Sequence, residues 1–181
     1  TDTVLFSNIE KANRIKAKQF LWETVAQNIR MVNPKATIIK GASPITVENS
    51  ELIEGKKVLV VEDGPTLTHG EMKIGAGMVA AEKFGAAETI DPRPYLVGKL
   101  KETFEHYPNI GTLLPAMGYG NEQIQDLEET INKTDCDVVI IGTPIDLRRI
   151  VNITQPSVRV TYDLEEIGSP TLVDILEPHI R

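Results

Sequence analysis

The sequence predicts an α/β protein, a mostly parallel sheet with helices on both faces, and three observations lead there. Short apolar runs alternate with longer amphipathic stretches along the whole chain. The runs Val58–Val61 and Asp137–Ile141 are apolar without polar alternation, as strands covered on both faces are. Most runs are followed by Gly, Pro, Asp or Thr and then by a helical pattern, the rhythm of strand–turn–helix units.

The elements follow in order. Val4–Phe6 reads as a strand, and Ile15, Phe20, Val25, Ile29 and Val32 make the apolar stripe of a helix from about Ala12 to Val32, stopped by Asn33-Pro34. Thr37–Lys40 is a strand and Gly41-Ala42-Ser43-Pro44 a small-residue turn; residues 48–55 read as a linker with a short helix at most. Strand Val58–Val61 runs into Glu62 and Asp63, a Gly-Pro turn, Thr66, Thr68 and His69, then a helix over Met72–Phe84. Strand Glu88–Ile90 precedes the turn Asp91-Pro92-Arg93-Pro94-Tyr95 and a helix over about Leu96–Tyr107. A strand near Gly111–Leu114 leads to Pro115-Ala116-Met117-Gly118-Tyr119-Gly120 and the helix Asn121–Lys133. Strand Asp137–Ile141 is followed by Gly142-Thr143-Pro144-Ile145-Asp146 and a short helix through Ile150. Strand Ser157–Tyr162 and helix Thr171–Ile180 close the chain.

At 181 residues the chain can bury about 70% of its unfolded surface, enough for one real core or two small ones. With 26 acids against 19 lysines and arginines its net charge is −7, which argues against a nucleic-acid footprint. A polyanionic substrate must therefore be held by a local Lys/Arg pocket or a metal. The single cysteine, Cys136, excludes an internal disulfide and reads as a structural thiol. No apolar run approaches a membrane span and no signal peptide is visible, so a cytoplasmic protein is expected. A chain opening on Thr1 and almost at once on a strand is expected to be a fragment or a processed form.

Chemistry-bearing residues collect after the strands, where open α/β sheets bind ligands. Loops leaving the carboxyl ends of neighbouring parallel strands are expected to share one edge, although Pro, Gly, Asp and Thr are also ordinary turn residues. Glu62 and Asp63 are hard oxygen ligands suited to Mg²⁺, with Asp91 a third carboxylate. Asp63, His69 and Asp91 are the candidate catalytic residues, His69 as a general acid or base or a bystander. Thr66 and Thr68 can cap a helix and donate to a phosphate at its N-terminus. Arg93, on a stiff loop between two prolines, suits bidentate phosphate binding. Tyr95, Tyr119, Thr143 and Asp146 complete the substrate-binding candidates, with Arg148 or Arg149 pairing a carboxylate.

The stretches Glu62-Asp63-Gly64-Pro65-Thr66-Leu67-Thr68-His69-Gly70, Asp91-Pro92-Arg93-Pro94-Tyr95, Leu114-Pro115-Ala116-Met117-Gly118-Tyr119 and Gly142-Thr143-Pro144-Ile145-Asp146-Leu147 resemble the C-terminal part of cyclic 2,3-diphosphoglycerate synthetase and its bacterial relatives, described as P-loop GTPases. The resemblance implies a Rossmann-like substrate domain over residues 56–181, preceded at 1–50 by the C-terminal tail of a P-loop-type nucleotide domain. It implies an ATP-dependent ligase closing 2,3-diphosphoglycerate to its cyclic anhydride, with release of ADP and phosphate. Mg²⁺ and ATP (or GTP) are the implied cofactors. Expected partners are a small phosphorylated metabolite, the missing N-terminal P-loop domain and a possible second copy in a homodimer, with no nucleic acid and no membrane. Two departures stand out. The chain has no Gly-x-x-x-x-Gly-Lys-Ser/Thr loop, and the Asn-Lys-x-Asp position reads Asn8-Ile9-Glu10-Lys11. By the resemblance Asn8 and Ser43 would border the nucleotide base. The alternative is a regulatory or partner-binding module of a P-loop GTPase-like protein without ligase activity. The 181-residue chain alone is expected to hydrolyse neither ATP nor GTP.

Overall fold

In the computed structural model the described residues are 3–9, 15–64 and 75–180, those before residue 23 by backbone alone. In chain order the elements begin with β1 (Thr3–Ile9), α1 (Ile15–Val32), β2 (Thr37–Ser43), β3 (Ile45–Val47) and β4 (Lys57–Asp63). Next stand α2 (Ala76–Lys83), β5 (Glu88–Thr89), α3 (Lys99–His106), β6 (Leu114–Ala116) and α4 (Asn121–Lys133). The chain closes with β7 (Val138–Ile141), β8 (Ser157–Tyr162), β9 (Glu165–Glu166) and α5 (Leu172–Leu176). The expected mixed α/β class with a mostly parallel sheet is what the structure has.

The chain divides into two compact units, Thr1–Ile45 with Tyr162–Arg181, and Thr46–Thr161. The sequence reading carried its second domain to residue 181; here the last twenty residues group with the first stretch instead. In the first unit β1 and β2 pair in parallel over all seven residues, and β9 adds antiparallel to Gly41 and Ala42. The small-residue turn expected at Gly41-Ala42-Ser43 is therefore strand. Pairing with β1, and at Gly41 and Ala42 also with β9, overrides the turn preference of those residues. The C-terminal helix is shorter than expected: Thr171 and Asp174 cap it reciprocally. It tightens into a 3₁₀ turn at Glu177–His179, where Pro178 cannot supply the next amide hydrogen.

In the second unit the strand order is β3-β8-β7-β4-β5, with β6 also on β4. β4 and β7 pair in parallel from Val58↔Val138 to Val61↔Ile141. All four residues of each run are buried, as unalternated strands at the sheet centre should be. Each such side chain contributes about 1.5–3 kcal/mol on burial. β8 continues the parallel set beside β7. Two strands divide the outer side of β4: β5 pairs at Lys57 and Val58, and β6 at Val61, Glu62 and Asp63. Side chains of α4 help start α3, for Asp126 accepts from the Lys99 amide at 2.9 Å and Thr130 from Val97 at 3.1 Å. The positive φ of Gly98 lets the chain turn past Asp126.

Candidate functional site

β4 extends two residues beyond its apolar run because β6 pairs there, so Glu62 and Asp63 lie on the strand and not in the turn after it. Alternation along the strand puts Glu62 on the side of Val60, facing the start of α2. Glu62 is only 3% exposed, and its Oε1 accepts from the Met78 amide at 3.0 Å. Three glycines make the space. A Cβ on Gly75 would stand 2.3 Å from the carboxylate, one on Gly142 2.6 Å, and one on Gly77 3.1 Å. Burial pushes the Glu62 carboxyl up to about 7; the amides of Met78 and Gly77 oppose this, and the neighbouring Asp63 charge adds to it. The positive end of α2 thus meets a carboxylate supplied by the chain itself.

Asp63 lies half-buried opposite Ala116 of β6. The following Gly64 is so close to β6 that a Cβ would meet Met117 Sδ at 2.3 Å and the Ala116 carbonyl at 2.7 Å. Tyr119 is 38% exposed; partial burial and the charge of Asp63 both raise its phenol. Gly118, with φ of 87°, and Gln123, which accepts from the Gly120 amide, shape the loop that carries it. The structure therefore brings Glu62, Asp63 and Tyr119 to the carboxyl end of the β4/β6 pair, with Gly142 of the β7 loop against Glu62.

The other candidates serve their own loops. Thr143 is buried and donates to the Ile145 carbonyl at 2.6 Å. Asp146 accepts from the amide and guanidinium of Arg148, which also pairs with Glu48 at 3.1 Å. Those bonds hold the Asp146 carboxyl below its usual range. Arg159, beside Ile141 in the register, donates to the Pro144 carbonyl.

β5 ends early, and this changes the expected common edge. It pairs with the first two residues of β4, so Asp91, Arg93 and Tyr95 leave the sheet well below Asp63, about 10 Å at the rise of a strand. Asp91 accepts from the Arg93 amide at 3.0 Å and from its guanidinium at 2.8 Å. Arg93 also donates to the Ile110 carbonyl and lies over the Phe104 ring at 5.1 Å. Tyr95 closes a 3₁₀ turn on the Pro92 carbonyl. A phosphate bound by Arg93 would have to replace these partners. Arg93→Ala should cost about 1–3 kcal/mol of stability, chiefly through the charged bond to a carbonyl, since the half-exposed ion pair adds little. Urea unfolding of Arg93→Ala and Arg93→Lys checks this, with lysine restoring only part.

Asn8 lies in β1 opposite Ala42, with its side chain outside the described set, and Ser43 is buried in β2 opposite Ile9. Thr66, Thr68 and His69 lie outside the described residues. Among the described residues no group of three His, Cys, Asp or Glu side chains is disposed to hold a metal ion. Glu62 is buried, with its Oε1 engaged by the Met78 amide of α2. Asp63, half-buried at the strand end, is of the carboxylate type that Mg²⁺ takes together with phosphate oxygens. Sequence reasoning passed over the Gly75, Gly77 and Gly142 set. The signal was present, as a Gly-x-Gly pair opening the helix after the central strand.

Fold and site together define an α/β protein with a carboxylate-bearing edge at the ends of its central strands. No protein-family model matches the chain. It is similar to arginine synthetase ArcE of Thermococcus kodakarensis, 59% identical over 176 residues, which make up 97% of this chain. The chain spans 38% of the length of that curated relative. The relative is thus a synthetase, as the ligase expectation requires, and it is named for arginine and not for a cyclic diphosphoglycerate. No helix among the described residues is long and apolar enough to cross a membrane.

Proposed function

We propose that this chain is the C-terminal part of an ATP-dependent synthetase whose substrate is arginine or the compound from which arginine is made. The observation that carries the reading is the 59% identity to arginine synthetase ArcE over nearly the whole chain. The site's chemistry supports it. The ring of Tyr119, beside the strand end that carries Asp63, suits a cationic guanidinium group through stacking. Arg93 and Arg148, on which a polyphosphorylated substrate would depend, are engaged by Asp91, Ile110, Asp146 and Glu48.

In this reading Asp63 would help hold Mg²⁺ with the nucleotide's phosphates, and the metal would neutralise their charge. Glu62 keeps the start of α2 seated against β4, fixing the backbone from which Asp63 projects. Asn8 and Ser43, in the first unit, would border the nucleotide base, and the phosphate-binding loop would belong to another part of the parent protein. A second reading keeps the closure of 2,3-diphosphoglycerate, favoured by the four motif stretches at the strand ends.

The test is interconversion of ATP and ADP by the full-length protein that carries this chain, with arginine and with 2,3-diphosphoglycerate in parallel. Dependence on arginine is expected, reduced at least tenfold by Asp63→Asn. Dependence on 2,3-diphosphoglycerate alone selects the second reading. Turnover with neither leaves a regulatory or partner-binding module without ligase activity.

A further inference from the structure

The first unit is a layer with uncovered sides. β1 stands at the end of the order β1-β2-β9, so among the described residues no strand borders its outer edge. In a parallel pair successive residues turn their amide and carbonyl groups alternately to either side, so about half of the polar groups of β1 face away from β2. Seven residues of bare parallel edge are a template for another strand. The helix that follows is only partly covered over its described side chains. Val25, Ile29 and Val32 fall at helical spacing on α1, yet none is buried, and Val32 is 88% exposed beside Met31 at 74%. Among the described apolar side chains of this unit only Ile39 and Ile45 are buried. A helix of eighteen residues takes most of its stability from packing an apolar stripe, and here the described part of that stripe is only partly covered at Val25 and Ile29 and open at Val32.

We propose that the free edge of β1 and the apolar stripe of α1 form a docking surface for the remainder of a longer synthetase chain, which adds a strand beside β1. The inference rests on the synthetase reading above. It commits to that occupant because this chain matches only 38% of its relative, so more than half of a protein of that kind lies outside it. A second copy of this chain is disfavoured as occupant by the net charge of −7 that each would carry.

The test places this chain in full-length ArcE in exchange for the segment it matches, and compares amide hydrogen exchange in that chimera and in the 181-residue chain. Alternate β1 amides should exchange at least tenfold more slowly in the chimera, while β4 amides agree in both. Val32→Asp in the chimera should return the β1 amides at least partway to the rates of the isolated chain. Equal β1 exchange in both proteins overturns the proposal. So does β1 protection that appears in the isolated chain as its concentration rises, since a second copy would then be the occupant. Nucleotide-dependent arginine turnover by the chimera is measured alongside. Protected β1 without turnover keeps the docking surface and removes the synthetase reading; turnover with unprotected β1 removes the docking surface alone.

Discussion

Glu62→Gln should change the pH dependence of stability in the second unit by about 3 kcal/mol. The native carboxyl titrates near 7, against 4.5 for an ordinary glutamate, with burial the leading cause. Below about 4.5 the group is protonated in both folded and unfolded chains, and its neutral form is tolerated in full. As pH rises from there toward 7, the unfolded chain ionises first and the native state pays for keeping its proton, so stability falls. Above 7 both forms are ionised and the loss is complete. A difference of about 2.5 pH units at 1.36 kcal/mol each gives the stated size. Glutamine keeps the acceptor for the Met78 amide and removes the titration. The variant should therefore gain on wild type steadily between pH 4.5 and 7 and hold a constant lead at pH 8. Because the chain folds as two units, exchange of the β4 and β7 amides, corrected for intrinsic rates, is the proper readout. A wild-type-to-variant difference that does not move with pH would mean that water reaches Glu62 more freely than its 3% exposure implies.

How far the molecule was legible in its sequence depended on whether the deciding interaction was local. Val58–Val61 and Val138–Ile141 declare themselves because a strand covered on both faces must be apolar throughout. Asn121–Lys133 falls where its pattern puts it, since its amphipathic stripe and its Gly120 entry are contiguous. Pro115 misled, because proline reads as turn; β6 pairs with β4 alone, and an edge strand tolerates it. Glu165 and Glu166 give no strand signal at all, and their pairing is set by Gly41 and Ala42 more than a hundred residues earlier.

The site followed the same rule. Asp63 and Tyr119 were placed together because their strands, β4 and β6, reach the same end of the sheet. Asp91 and Arg93 were placed with them on the assumption that parallel strands end level. β5 is two residues long and stops opposite Val58, a fact about pairing length that composition does not carry. The burial of Glu62, read in the sequence only as a hard oxygen ligand, is not legible there because its cage comes from three glycines 13, 15 and 80 residues further on. Once the cage is seen, a buried acid beside a helix start is ordinary electrostatics.

The cage makes a prediction sharp enough to separate its walls. At Gly75 the three nearest neighbours of an added Cβ are atoms of the Glu62 carboxylate, the nearest at 2.3 Å. At Gly142 the Cβ would meet the same carboxylate at 2.6 Å and also the backbone nitrogen of Gly77 at 2.8 Å. Neither φ lies in the left-handed region, so the cost is one of space and not of backbone conformation. Each single substitution to alanine should destabilise the second unit by about 1–3 kcal/mol, the usual range for overpacking a close-packed interior. Combining each with Glu62→Ala removes the carboxylate and distinguishes them. Gly75→Ala with Glu62→Ala should be no less stable than Glu62→Ala alone, a coupling of about 1–3 kcal/mol. Gly142→Ala should keep a substantial part of its cost in the double variant, because backbone cannot be removed. Protection of the β4 and β7 amides in the five variants and wild type measures both cycles. Rescue at Gly142 as complete as at Gly75 would show that the start of α2 can yield, and that Glu62, not close packing of Gly77 on the β7 loop, is what fixes the distance between them.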